Sequence, residues 1–342
     1  MSLKRTDSYL ITLRKREKIR KTNSIRKKMQ TLKTLLSLLI LSTNPLFAQQ
    51  KQVCFSIDDL PVVNYGINTP EFHNQITDKL LSGLKKYDIQ AIGFVNEGKM
   101  YDAKGKVIAF KKANLEKWLK YGMDLGNHTL FHKDFNNVDF SDYMAKILKG
   151  EKITKALLRK YNKEMKYFRH PFLHVGATKN RADSLENFLK KHNYITAPVT
   201  IDNEDYLFAN AYQKALIKKD TVLAQTIGKD YISYMEQKIF YYEKMSHALF
   251  GRQIPQILLI HANLLNADYI QALAEIYTKN GYKFTSMDQT MADEAYKTPI
   301  TKFGRCGISW LDRWAISQGK TGDFFKGDPE TPKYVTDISN QR

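Results

Sequence analysis

Seven short apolar runs recur along this chain, most of them separated by a helical stretch, and that alternation limits the fold more than any other feature. The runs fall at 52–57, 91–95, 124–126, 167–169, 195–197, 257–260 and 283–285. Helical periodicity occupies 69–86, 114–121, 140–161, 179–192, 220–250 and 266–280. Parallel strands need a crossover of a dozen or more residues, usually a helix. Strand–helix repetition therefore predicts an α/β fold with a mainly parallel sheet, and seven such units predict closure into a barrel.

In such a barrel reactive side chains gather at the strand C-termini, and the ionisable residues of this chain respect that polarity. Asp58 and Asp59 follow the first run, and His128 and His132 follow the third. Arg169 closes the fourth, Asp202 and Asp205 follow the fifth, and His261 ends the sixth. Adjacent carboxylates at a strand end are costly unless a cation or a proton transfer uses them. With two imidazoles four residues apart they supply ligands for a divalent metal and a spare carboxylate, the equipment of a metal hydrolase. Singly, each group has a plainer reading: one helix face for the histidines, a turn or cap for the acids, a structural ion pair for Arg169 and Asp205, a core histidine for His261. Their joint order favours the site.

Residues 1–48 stand apart from the fold. A basic stretch precedes the apolar run 35–41, and a small residue, Ala48, closes a plausible cleavage site. These are the three parts of an export signal, with Met29 as an alternative start that gives it ordinary length. An uncleaved anchor is the other reading, disfavoured by Pro45 and by a run too short to span a bilayer. The segment carries 12 of the 54 Lys and Arg and 2 of the 35 acidic residues, so +9 of the +19 charge belongs to the remainder. That charge is dispersed in Lys-rich helical faces; no nucleic-acid module is present, and an acidic envelope polymer or membrane surface is the partner a basic surface favours. Cys54 and Cys306 are the two cysteines. Cys54, in an apolar run, reads as a small buried hydrophobe, and a bridge to Cys306 stays open.

Five ordered segments carry a resemblance: Phe55-Ser56-Ile57-Asp58-Asp59, His128-Thr129-Leu130-Phe131-His132, Arg169-His170-Pro171-Phe172, Asp202-Asn203-Glu204-Asp205-Tyr206 and Leu259-Ile260-His261. Together they resemble the motifs of the polysaccharide deacetylases, the NodB-homology domain of carbohydrate esterase family 4, over residues 52–292. The resemblance implies a distorted (β/α)7 barrel at 49–295, followed by an extension at 296–342. It implies Asp58 as general base, and Asp59, His128 and His132 as ligands of one divalent ion, zinc in the first place, with cobalt, nickel or manganese open. His261 is then the general acid, Arg169 holds and tunes Asp58 by keeping its pKa low enough for an available base, Asp205 or Asp202 pairs with Arg169 or His261, and the Phe172 N–H stabilises the oxyanion. Leu60 and Tyr206 depart from the family's usual Gly and Trp, which alters the cleft rather than the chemistry.

The implied activity is metal-dependent removal of N- or O-acetyl groups from a carbohydrate, outside the cytoplasm. A silent carbohydrate-binding protein and a hydrolase of another amide or ester are the alternatives. The aromatics of 220–250 read as core, with a lid over the cleft as the second reading. Residues 310–315 predict a short amphipathic helix, in a strap on the barrel or an interaction surface.

Overall fold

The computed structural model describes residues 50–341 without interruption, together with most positions between 15 and 31. The chain divides into two units, 1–49 and 50–342. In the first, the described positions are helical and exposed; the apolar run 35–41 and the cleavage site after Ala48 lie outside the described residues. No helix among the described residues is long and apolar enough to cross a membrane.

In the second unit all seven expected strands form: β1 (Lys51–Leu60), β2 (Ile92–Val95), β3 (Asp124–Asn127), β4 (Tyr167–Phe168), β5 (Ile195–Thr196), β6 (Gln256–His261) and β7 (Tyr282–Phe284). Every pairing between them is parallel, in the order β5-β4-β3-β2-β1-β6. Val53 partners Gln256 of β6 and Phe284 of β7, so β7 lies on the flank of β1 opposite β6 and is no member of the ring. The curled sheet is instead joined edge to edge by the chain after β5. Ile195 and Thr196 pair with β4, then the Thr200 and Ile201 N–H groups donate to the Ile257 carbonyl of β6, both at 3.0 Å. Pro198, which has no N–H to offer a ladder, sits where the chain changes partner.

Alternation along β1 sorts its side chains. Val53, Phe55 and Ile57 join the main core beneath the helices, whereas Cys54 joins Ile92, Phe94, Tyr167, Ala197 and Ile257 inside the sheet's curl. Ser56 and Asp58 continue the inward row toward the strand's C-terminal end.

The helices are α1 (Pro70–Lys86), α2 (Ala109–Lys120), α3 (Phe140–Lys149), α4 (Lys152–Lys160), α5 (Lys179–Lys191), α6 (Asp205–Ile217), α7 (Thr221–Phe250), α8 (Leu264–Lys279), α9 (Met287–Met291), α10 (Trp310–Ser317) and α11 (Lys333–Asn340). The periodicity at 140–161 is two helices broken at Gly150, where a Cβ would stand 2.6 Å from the Leu130 nitrogen. The loop carrying the two histidines needs that space. Helix α6 was not expected. Phe208, Ala211, Tyr212 and Ala215 share its buried face, but Tyr206, Leu207 and Ile217 put apolar residues on the other side as well, which blurs the amphipathic period. The aromatic face of α7 is core, as its spacing suggested: Tyr231, Tyr234 and Tyr242 are buried, and the Tyr231 hydroxyl donates to Asn266 Oδ1 at 2.6 Å. Both cysteines are free, Cys54 buried in β1 and Cys306 exposed, so no bridge links them.

Residues 96–100, which follow β2, are stapled to α4 by Glu97. Its fully buried carboxylate accepts the Ile153 N–H (2.8 Å), the Thr154 N–H (3.0 Å) and the Thr154 hydroxyl (2.9 Å) at the start of that helix. Glu97→Ala strands all three donors, and the expected loss is roughly 2–4 kcal/mol of stability in urea unfolding.

Candidate metal centre

Two adjacent residues of a strand face opposite sides of a sheet, yet the carboxylates of Asp58 and Asp59 serve one site. The local backbone explains it. Between Ile57 and Leu60 the β1–β2 register shifts, three steps along β1 matching two along β2, and Asp59 adopts a left-handed φ of 70°. This bulge re-aims Asp59 to the side of Asp58.

The histidine loop is built on Asn127, fully buried at the end of β3. Its amide donates to the Ile147 carbonyl (3.0 Å) and the Tyr194 hydroxyl (2.9 Å), and its oxygen accepts the Thr129 N–H (2.8 Å). Thr129 and His132 are left-handed at φ 66° and 49°, and the Thr129 hydroxyl accepts the His132 N–H at 3.0 Å. This sharp turn brings the two imidazoles edge to face, with ring centres 4.8 Å apart. Left-handed backbone at Asp59, Thr129 and His132, none of them glycine, is held in place by these contacts.

Asp59 Oδ1 lies 3.7 Å from His128 Nε2 and 3.7 Å from His132 Nε2, and it is buried with no hydrogen-bond partner. One atom from each of the three residues falls within 4.8 Å of the others. His128 Nδ1 donates to the Arg169 carbonyl at 2.8 Å, which leaves Nε2 with its lone pair facing the cluster. Burial, then the neighbouring His132, push the His128 pKa well down, so the imidazole is neutral, as a ligand must be. An orphaned carboxylate oxygen 3.7 Å from each of two imidazole nitrogens fits a divalent cation with an N2O donor set.

Lys99 completes the surround of Asp59. Its ammonium donates to the Asp59 carbonyl at 2.9 Å and stands 3.5 Å from Oδ2. Burial opposes the charge of Asp59, but Lys99 and the two imidazoles outweigh it and hold the carboxyl below its usual range. The same segment reaches the histidine loop through Asn96, whose amide donates to the His128 carbonyl at 2.5 Å, and through the Gly98 N–H, which donates to the Leu130 carbonyl at 2.8 Å. Lys99 was missed from sequence, although the rule that found the other groups applies to it: it follows the C-terminal end of β2.

Asp58 is 2% exposed and faces the Arg169 guanidinium, Nη1 lying 3.3 Å from each carboxylate oxygen. Arg169 lowers the Asp58 pKa, as expected, but burial works against it. Burial raises it more than Arg169 lowers it, and the pKa is pushed up to about 6. The group is still ionised at neutral pH.

His261 is the register partner of Asp58 across β1 and β6. Its Nδ1 faces Asp205 Oδ1 at 2.7 Å, and its main-chain N–H donates to Asp205 Oδ2 at 2.9 Å. Asn263 and Asn266 also donate to Oδ2, at 3.1 and 2.6 Å. Burial alone would lower the His261 pKa; Asp205, with help from Asp58 and Asp59, overcomes it and raises the pKa to about 9. Asp205 therefore takes the partner role. Asp202 does not: its Oδ1 accepts the Asn203 N–H at 2.9 Å, it pairs with neither Arg169 nor His261, and burial pushes its pKa up to about 6. Asp202 lines the cleft instead.

That cleft has a volume of about 600 Å³ and runs past Asp58, Asp59, His128, His132, Phe172 and His261, with Tyr65 and Tyr206 on its wall. The exposed Phe172 ring packs edge-on against His132 at 4.5 Å.

A family model described as polysaccharide deacetylase matches residues 48–192, the span holding Asp58, Asp59, His128, His132 and Arg169. Among solved structures, the chain is similar to a mutant, with restored enzymatic activity, of a CE4 family pseudoenzyme from Bacillus anthracis. Identity is 16%, coverage 72% of this chain and 69% of that one, and TM-score 0.45. It is also similar to the peptidoglycan deacetylase PdaC of Bacillus subtilis (18% identity, 73% and 94% coverage, TM-score 0.43). A third is a family 4 carbohydrate esterase from Streptomyces lividans in complex with acetate (16% identity, 70% and 95% coverage, TM-score 0.42). No curated protein matches the chain by sequence.

The donor geometry generates a direct test. Purified protein supplied with zinc is expected to hold about one ion per chain, and His128→Ala to hold almost none. Elemental analysis checks both values; full occupancy in the variant overturns the ligand set.

Proposed function

Over residues 48–192 the chain belongs to the polysaccharide deacetylase family, and from that premise we propose that it is a metal-dependent deacetylase acting on an acetylated carbohydrate. The observation that carries this reading is the orphaned Asp59 Oδ1 close to the Nε2 atoms of both imidazoles, beside the neighbouring pair Asp58 and His261. Asp59, His128 and His132 would hold the cation, zinc in the first place, with cobalt, nickel or manganese able to use the same donors. Such a cation, when bound, supplies Lewis acidity toward the acyl oxygen and an acidified water.

The chain's own groups account for the proton traffic. Asp58, fixed by Arg169, accepts a proton from the attacking water at its carboxylate. The Phe172 N–H donates to the acyl oxygen as negative charge develops there. His261, its Nδ1 engaged by Asp205, donates a proton from Nε2 to the departing nitrogen as the C–N bond breaks, releasing acetate and amine. The basic, apolar and small-residue order of 1–48 supports export, which would put an envelope or extracellular carbohydrate within reach. A binding protein without turnover has no use for a base and an acid side by side on adjacent strands.

Asp58→Asn removes the base but no ligand, so it is expected to abolish acetate release while the metal stays bound. Asp59→Asn should instead weaken metal binding itself. Equal metal loss in both variants would mean that the two carboxylates share one role.

The acid and the base also set a pH window. Asp58 accepts protons only above its pKa of about 6, and His261 carries its proton only below about 9. A bound cation lowers both values, because it favours the deprotonated carboxylate and the neutral imidazole. Amide turnover should therefore be bell-shaped, with limbs at or below those pH values. His261→Ala should remove the alkaline limb and slow amide cleavage by on the order of a hundredfold or more, while an acetate ester with a good leaving group is slowed far less. Equal damage to amide and ester would assign His261 a structural part.

A further inference from the structure

The turn after β4 adopts two successive left-handed conformations at residues that are not glycine, Phe172 at φ 56° and Leu173 at φ 55°. Such backbone persists only where its surroundings over-determine it. The surroundings come from the far end of the chain, beyond the span that matches the deacetylase family. Gly307 lies against the Phe172 carbonyl: a Cβ there would stand 1.8 Å from the Phe172 oxygen and 3.2 Å from His174 Cδ2. Gly307 also lines the catalytic cleft.

Arg313 makes the second attachment. It is 3% exposed and forms no ion pair among the described residues; its Nη2 donates to the Leu173 carbonyl at 2.8 Å and to the Cys306 carbonyl at 3.1 Å. One buried guanidinium thus ties the turn holding Phe172 to the residue preceding Gly307. The strap is anchored to the barrel, since the Trp310 N–H donates to the Val199 carbonyl at 2.6 Å, just before the closure of the sheet on β6. Both bonds come from Nη2 and both go to main-chain carbonyls, while Nε is buried without a partner, so what this guanidinium holds is backbone.

We propose that residues 306–313 belong to the catalytic apparatus: Gly307 and Arg313 are positioning residues that lock the 171–174 turn and so preset the Phe172 N–H for the acyl oxygen. The inference rests on the deacetylase reading. A donor of this kind works because it needs no reorganisation when charge develops. Without the strap the turn would relax toward ordinary backbone and swing the N–H away. The Phe172 ring against His132 extends the same control to the edge of the metal site.

The test uses full-length, zinc-loaded protein with an N-acetylglucosamine oligomer and an aryl acetate ester, comparing Gly307→Ala, Arg313→Met, Arg313→Lys and Gly304→Ala. A Cβ at Gly304 would meet no atom within 4 Å, which makes that position the neutral control. Gly307→Ala and Arg313→Met should lower kcat about ten- to hundredfold, on amide and ester alike, with KM, zinc content and melting temperature little changed. Arg313→Lys should recover part of the loss. Amide hydrogen exchange at 172–174 should quicken in Arg313→Met whether or not turnover is measured. Wild-type kcat in both variants, or a loss of kcat that only follows lost zinc or lost fold, would overturn the proposal. A wild-type protein that binds zinc but releases acetate from neither substrate would overturn the deacetylase reading instead, and the exchange measurement would still decide whether the strap holds the turn.

Discussion

A guanidinium with no access to solvent organises this barrel. Arg169 is fully buried, and every donor must find a partner among the strands that surround it. Nε donates to the Ala197 carbonyl at 3.0 Å, Nη2 to Ser56 Oγ at 2.9 Å and the Pro198 carbonyl at 3.3 Å, and Nη1 faces Asp58; the Phe94 ring lies 4.5 Å away. Those partners come from β1, β2 and the segment that closes the sheet. Its own carbonyl orients His128. A change in Arg169 would therefore strike the closure of the fold, Asp58 and His128 together, so stability and the arrangement of the site share one residue.

Charge is distributed around the site with similar economy. Asp58 and His261 sit opposite each other on adjacent strands, yet their environments push them apart in function. Asp58 is raised toward neutrality by burial, and His261 is raised further by Asp205, which lies at the N-terminal turn of α6 and takes N–H donors from three groups. In the proposed reaction they would give a base that is empty and an acid that is loaded at the same pH. Lys99 offsets the charge of Asp59 on the side away from the imidazoles, leaving Oδ1 as its free atom.

Much of this is legible in the sequence. All seven strands are readable because short apolar runs bounded by polar residues are local signals, and Asp58, Asp59, His128, His132, Arg169, Asp205 and His261 follow from strand polarity and order. The failures have physical causes. Helix α6 hides because it is apolar on several faces, and 140–161 reads as one helix because a single glycine interrupts no period. Asp202 and Asp205 carry equal chemical promise three residues apart; only the start of α6 at Asp205, with Asn263 and Asn266 brought up from the start of α8, gives one of them the histidine.

Sequence by itself determined which groups are available to the site and the layer order, since residue type sets which groups can bind a cation or carry a proton, and hydrophobic period sets which segments are strands. Tertiary structure decided which atoms meet. Asp58 and Asp59 share a site through a bulge and a left-handed residue, the sheet closes through residues 197–201 rather than through β7, and a segment near the C-terminus braces the turn after β4. Each of these depends on contacts between residues far apart in the chain, whose energy is set by burial and register, and neither quantity is written in a local pattern of side chains.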